Sequence, residues 1–175
     1  MTDHPVAAAA IVFDASEDAD ALLAAVARDQ HAAGRRVCGL LMKHSTGSGC
    51  AREMVLQDIR TLDEYLVSQP MGEGSRSCRA DPQGFARAST VLRAALAQAP
   101  DLVISNRFGQ LEAEGHGFCA ELLELLANGV PLLTAVAPRH LEAWLTFTGG
   151  APVLPMSPEA VSAWLERVGV PSSSL

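Results

Sequence analysis

Val6 to Phe13 is an unbroken apolar run, bounded by His4-Pro5 on one side and Asp14 on the other. A strand that is apolar at every position has no face to give to water, so it must be covered on both sides. Helices packed on both faces of a mostly parallel sheet meet that demand. Shorter apolar runs recur at Val37 to Met42, Leu102 to Ile104 and Pro131 to Val136. Between the first two, Asp14-Ala-Ser-Glu-Asp-Ala-Asp20 supplies helix-capping groups and first-turn acids. Leu22, Leu23, Val26 and Ala27 then follow at helical spacing, and Gly34 ends the helix before Arg35-Arg36 lead into the second strand. The result is a strand, helix, strand unit with a right-handed crossover.

The remaining chain continues the alternation. Glu53 to Ile59 reads as a half-buried strand with Leu62 to Val67 as its hairpin partner, and Gln69 to Pro82 as a polar, glycine-bearing loop. A helix is expected from Pro82 or Gln83 to about Gln98, with Phe85, Ala88, Val91, Leu92 and Ala95 on one side and proline well placed at its start. After Leu102 to Ile104 comes a glycine-punctuated loop, then a helix from Phe118 to Ala127 stopped by Asn128-Gly129. The strand Pro131 to Val136, a helix from Pro138 through Phe147, a short strand at Val153-Leu154 and a helix from Pro158 to Val168 complete the pattern. No repeat or long linker divides the chain. The expected fold is one α/β domain over 1–175, ordered from about 6 to 168. It has three layers: a mostly parallel sheet with helices on both faces, and an inserted antiparallel hairpin.

Composition excludes several partners. With 49% apolar and 19% charged residues, the chain of 175 can bury a sizeable core. A net charge of -7 argues against nucleic acid, which needs a basic face. The first fourteen residues have no basic region ahead of their apolar run, which is itself too short to span a bilayer, so neither a secretion signal nor a membrane partner is expected. The irregular spacing of Cys38, Cys50, Cys78 and Cys119 fits a reduced, cytoplasmic protein rather than a disulfide framework. Cys38 and Cys119 read as core residues, and Cys50 and Cys78, in polar loops, as the more reactive pair. His44, His116, Cys50 and Cys78 lack the spacing of a zinc site, so no metal is expected.

The polar groups gather in three loops at strand ends, where α/β proteins bind ligands. The first holds Lys43, His44, Ser45, Thr46, Ser48 and Cys50; the second Ser75, Arg76, Ser77, Cys78 and Arg79; the third Ser105, Asn106, Arg107, Glu112 and His116. If the strands ahead of the first and third loops are neighbours, the loops converge on one site. Its cations and hydroxyls suit a small oxyanion or phosphorylated ligand, such as phosphate, molybdate or tungstate. In that reading Arg107, Arg79, Arg76 and Lys43 supply charge, while Asn106, Ser45, Thr46 and Ser77 orient the ligand. A plainer reading has Arg107 pairing with Glu112 or Glu114 and Asn106 capping the following turn. Asp58 and Asp81 could form a carboxylate pair, although Asp81-Pro82 reads more naturally as a helix start. Trp144 and Phe147 read as core or as an oligomer face, and a homodimer is one expectation.

The order of elements resembles a small P-loop nucleoside triphosphatase. In that family the strand after the long helix ends in a run of the form I-D-E-I-G-x-M-E. Here the corresponding residues are Ser105, Asn106, Arg107, Phe108, Gly109, Gln110, Leu111 and Glu112, so Gly109 and Glu112 match while Asn106 stands at the acidic metal-binding position. More closely, the chain resembles the bacterial family called domain of unknown function 2478. Leu56-Gln-Asp-Ile59, Cys78-Arg-Ala-Asp-Pro82 and Asn106-Arg-Phe-Gly-x-x-Glu-Ala113 carry this resemblance over residues 6 to 165. Members of the family are named as molybdenum transporter ATP-binding proteins or as dehydroquinate dehydratases, and the first name implies molybdate or tungstate as ligands. A P-loop needs G-x-x-x-x-G-K-[ST] at the first turn, whereas residues 14–20 offer no glycine, no lysine and four acids. Hydrolysis of ATP by the usual route is therefore not expected. The rival expectations are a nucleotide-binding hydrolase or transferase using Glu112 or His116 as base, and a catalytically dead interaction subunit.

Overall fold

A computed structural model of the chain describes residues 6–44, 53–70 and 78–170. Its centre is a seven-stranded sheet in the order β4-β3-β2-β7-β8-β1-β9. The strands β1 (Ala8–Val12), β2 (Val37–His44), β7 (Leu102–Ser105), β8 (Leu132–Val136) and β9 (Val153–Leu154) run parallel. The strands β3 (Met54–Asp58) and β4 (Glu64–Leu66) extend one edge as an antiparallel hairpin. This is the expected three-layer α/β arrangement with its inserted hairpin. The described residues include no helix long and apolar enough to cross a membrane.

Alternate residues of each buried strand feed two separate cores. On one face Ala8, Ala10, Cys38, Leu40, Val103, Leu132 and Val136 meet α2 (Pro82–Ala95), α4 (Cys119–Ala127) and α5 (Leu141–Thr148). On the other, Ala9, Ile11, Val37, Leu102, Ile104, Leu133 and Ala135 meet α1 (Ala19–Ala32) and α6 (Pro158–Arg167). Unbroken apolar sequence is what both cores require. Trp144 anchors the first core and Trp164 the second, each almost wholly buried. Phe108 meets the Trp144 ring edge-on at 5.4 Å and Phe147 at 5.3 Å, which places Trp144 and Phe147 in the core. Cys38 and Cys119 are buried, as their apolar neighbours imply.

Helix starts follow the sequence signals. Asp81 accepts from the Gln83 amide and Pro82 occupies the first turn of α2; Asp81 is therefore a helix cap. Asp58 accepts from the Arg60 amide at 2.8 Å and shapes the turn between β3 and β4. Two expectations need correction. The stretch from Gln69 to Pro82 is not simply a loop, because β5 (Ser68–Pro70) and β6 (Cys78–Ala80) pair as an antiparallel ribbon. The loop after β7 contains a short helix, α3 (Gln110–Ala113). Both were hidden because three or four residues are too few to show a periodicity.

Candidate functional site

The three candidate loops leave the sheet at one end. His44, the last residue of β2, pairs with Met54, the first of β3. The Met54 amide donates to Ser68 Oγ at 2.9 Å and its carbonyl accepts from Val67, so the β5–β6 ribbon springs from that same end. The strands β2 and β7, which carry the first and third loops, are hydrogen-bonded neighbours. Ser45, Thr46, Arg76 and Ser77 lie outside the described residues, and Cys78 opens β6. Arg79 is exposed on the ribbon.

Arg107 is held at this end by two contacts from β1 and α1. Its Nη2 donates to Asp20 Oδ1 at 3.1 Å, and its guanidinium carbon lies 4.4 Å from the centre of the Phe13 ring. Asp20 is nearly buried in the first turn of α1, and Phe13 follows β1. Arg107 therefore reaches across the end of β8 to β1 and α1, rather than pairing with Glu112 or Glu114. The Phe13 ring adds a cation–π contact to that ion pair. Its Nε is buried with no hydrogen-bond partner among the described residues, while the side chain as a whole stays 40% exposed and so open to a ligand.

Asn106 does not cap the following turn. It is buried, and its Oδ1 accepts from the Met42 amide at 3.1 Å. The register of β2 and β7 ends at Leu40 and Ser105, so the Asn106 side chain takes over where the backbone ladder stops. Lys43 pairs with Glu64 of β4, turning towards the sheet edge and away from Arg107. Ser105 is fully buried, with no partner for Oγ among the described residues, and it shares the core-facing row with Val103.

The turn between β1 and α1 is filled by its own side chains. Asp14 Oδ1 accepts from Ser16 N–H at 2.8 Å and Ser16 Oγ at 2.6 Å; the serine hydroxyl holds the Asp14 carboxyl below its usual range. Glu17 Oε1 accepts from the Asp14 amide, and Asp18 Oδ1 from the Ala21 amide, both at 2.9 Å. The amides of Asp14 and Ser16 ahead of α1, and of Ala21 in its first turn, are thus turned to carboxylates of the same chain and not to an anion.

Glu112 braces the loop. Its Oε2 accepts from Gly109 N–H at 3.0 Å and its Oε1 from Phe118 N–H at 3.2 Å. Burial pushes its carboxyl above the ordinary value of 4.5, against the lowering effect of those amides. A Cβ at Gly117 would stand 2.5 Å from Oε1, and Gly117 has a φ of +61°, so only glycine fits there. Glu112, Arg139 and Phe147 border an open groove of about 660 Å³ between α3, α4 and α5. Burial also raises the Cys119 thiol, which donates to the Glu112 carbonyl at 3.0 Å. Among the described residues no group of three or more His, Cys, Asp or Glu side chains could hold a metal.

The geometry unites Arg107 with Asp20 and Phe13, two residues that sequence reasoning did not connect to it. Asp20 was visible only as one of four acids in a first turn.

A mostly parallel sheet covered by helices on both faces, with an antiparallel hairpin at one edge, places the molecule in the three-layer α/β class. The chain belongs to the family described as Protein of unknown function (DUF2478), which it matches over residues 8–164. In fold it is similar to a human cancer-related nucleoside triphosphatase, with a TM-score of 0.65 and 16% identity over 90% of this chain and 93% of that one. In sequence it is 39% identical over 162 residues to a molybdenum import ATP-binding protein, ModC 2, of Bradyrhizobium diazoefficiens. That alignment covers 91% of this chain and 18% of the relative, so the chain spans less than a fifth of that protein.

Proposed function

We propose that the protein binds a small oxyanion or phosphorylated ligand at the carboxyl end of β7 and β1, in molybdenum handling, without hydrolysing ATP. The observation that supports this most is Arg107, part-exposed at a strand end and held over the Phe13 ring. Molybdate and tungstate are the first choices because a relative carries molybdenum import in its name. Hydrolysis is set aside because the first turn lacks lysine and glycine, and its amides are directed to Asp14, Glu17 and Asp18. Glu112 is a poor base for an enzyme reading, since both its oxygens accept backbone N–H groups.

Calorimetric titration with molybdate, tungstate, phosphate and ATP tests the reading. One of the oxyanions should bind, and Arg107→Ala should weaken it roughly tenfold to a hundredfold, the worth of one charge-assisted hydrogen bond. No heat with any of the four sinks it. A second reading, an NTPase-like fold kept for protein interaction, draws on the pairing of both Lys43 and Arg107 with carboxylates of the same chain. It predicts no heat with any anion and an unaltered partner interaction in Arg107→Ala.

A further inference from the structure

The second core stops short of the β3–β4 hairpin. Leu56 of β3 is buried in the first core with α2, but no residue of β3 or β4 is among the buried residues under α1 and α6. Strand pairing identifies the side chains on that bare face. Met42 and Tyr65 pack against the first core and Leu41 against the second. By alternation and register, Leu41, Lys43, Val55, Glu64 and Leu66 therefore share the α1 side. The ion pair of Lys43 with Glu64 across β3 agrees with this placement. Leu66 is 44% exposed there, and a groove of about 750 Å³ runs between Leu41, Ile59 and the flank of α1.

The rim of the groove is held at a conformational cost. Leu62 has a φ of +65°, a region that side chains with a Cβ rarely adopt. Its amide donates to the Asp58 carbonyl, and its own carbonyl accepts from Gln57 Nε2. The turn thereby projects a leucine that is 64% exposed, where a glycine would sit without strain.

Opposite charges border this apolar strip on its two sides. Arg28 and His31 stand exposed on the flank of α1, and Asp63 and Glu64 on the hairpin. Among the described residues neither Arg28 nor Asp63 forms an ion pair. The two charge sets lie at the same height along the strands. Only residues 33–36 separate the end of α1 from the start of β2, and the Ile59 amide donates to the Gly39 carbonyl, which brings the β3–β4 turn to that level as well.

We propose that this face is the interface of a homodimer whose two-fold axis runs parallel to the strands. Rotation about such an axis preserves height along the strands and exchanges the two sides of the strip. Each hairpin then covers the other at the level of the helical layer, since sheets pack about 10 Å apart. Leu62 and Leu66 of one copy close over Leu41, Val55 and Ile59 of the other, and Asp63 of each meets Arg28 and His31 of its mate. An axis across the strands would instead carry the acids to the far end, away from those cations. The complement to the cationic flank is thus present on the chain itself, as an isologous contact requires. The interface does not depend on the function proposed above.

Sedimentation of the full chain over a range of concentrations tests it. The wild type should be a dimer with a Kd of about 10 μM or tighter. Leu62→Gly relieves the backbone and so keeps the fold, and it should weaken association about tenfold; Leu66→Lys should weaken it at least as much. Arg28→Asp and Asp63→Arg should each weaken it about fivefold, the order of an exposed ion pair made twice. The double variant, which reverses both charges, should return to within about twofold of the wild type. The proposal is overturned if the wild type stays monomeric at about 100 μM, if Leu62→Gly or Leu66→Lys associates as the wild type does, or if the charge reversal fails to restore what the single variants lose.

Discussion

Glu112 and Asp20 illustrate two uses of a buried carboxylate. Glu112 accepts two backbone N–H groups, so Glu112→Ala leaves both without a partner and should cost about 2 kcal/mol or more in urea unfolding. The pH dependence has a definite sign. A folded-state pKa raised by burial above the ordinary 4.5 gives stability that is present below that value and is lost as pH rises through the raised one. The wild type's advantage over Glu112→Ala should therefore grow as pH falls from 7 towards 4.5, and a constant gap would contradict this account. Asp20 instead neutralises Arg107. Asp20→Asn should raise oxyanion affinity about threefold to fivefold by calorimetry, because a half-exposed ion pair is worth at most ~1 kcal/mol. Sequence revealed that Arg107 sat at a strand end, yet not its partner. Glu112 and Glu114 were near in sequence, whereas Asp20 is 87 positions away and becomes a neighbour only when β1 and β7 flank β8.

At the scale of elements, β2 depends on one glycine. Gly39 has a φ of +125°, and a Cβ there would stand 1.9 Å from the Ile104 carbonyl oxygen of β7. Its own carbonyl accepts from Ile59 at 3.0 Å. Gly39→Ala should destabilise by about 3–5 kcal/mol, combining overpacking with left-handed strain, and chemical denaturation would register it. The long elements were legible because apolar runs and caps announce them: Val6 to Phe13 contains β1, and Asp81-Pro82 opens α2. The β5–β6 ribbon and α3 were not. Their stability comes from contacts such as Ser68 Oγ with Met54, and the Glu112 brace, rather than from any repeat along the chain.

The whole molecule has two cores separated by one sheet, and each core contains a single tryptophan. That arrangement permits a direct test of cooperativity. Trp144→Phe leaves Trp164 as the reporter of one core, and Trp164→Phe leaves Trp144 as the reporter of the other. If the chain is one domain, fluorescence and circular dichroism should give coincident urea transitions within each variant. Two separated transitions would divide the chain at the sheet. Alternation of apolar strands with helices made this architecture legible. The order of the strands was not, because adjacency of β2 with β7 and of β8 with β1 is decided by crossovers that leave no mark in local sequence.

The Asp20–Arg107 contact also sets a threshold. A carboxylate tethered beside a guanidinium acts as a competitor at a fixed effective concentration, of millimolar order or above for groups held this close. Any incoming anion must outcompete it, and abundant singly charged ions with diffuse charge do so poorly. Selectivity at that strand end would then come from the chain's own acid, which turns away weak rivals.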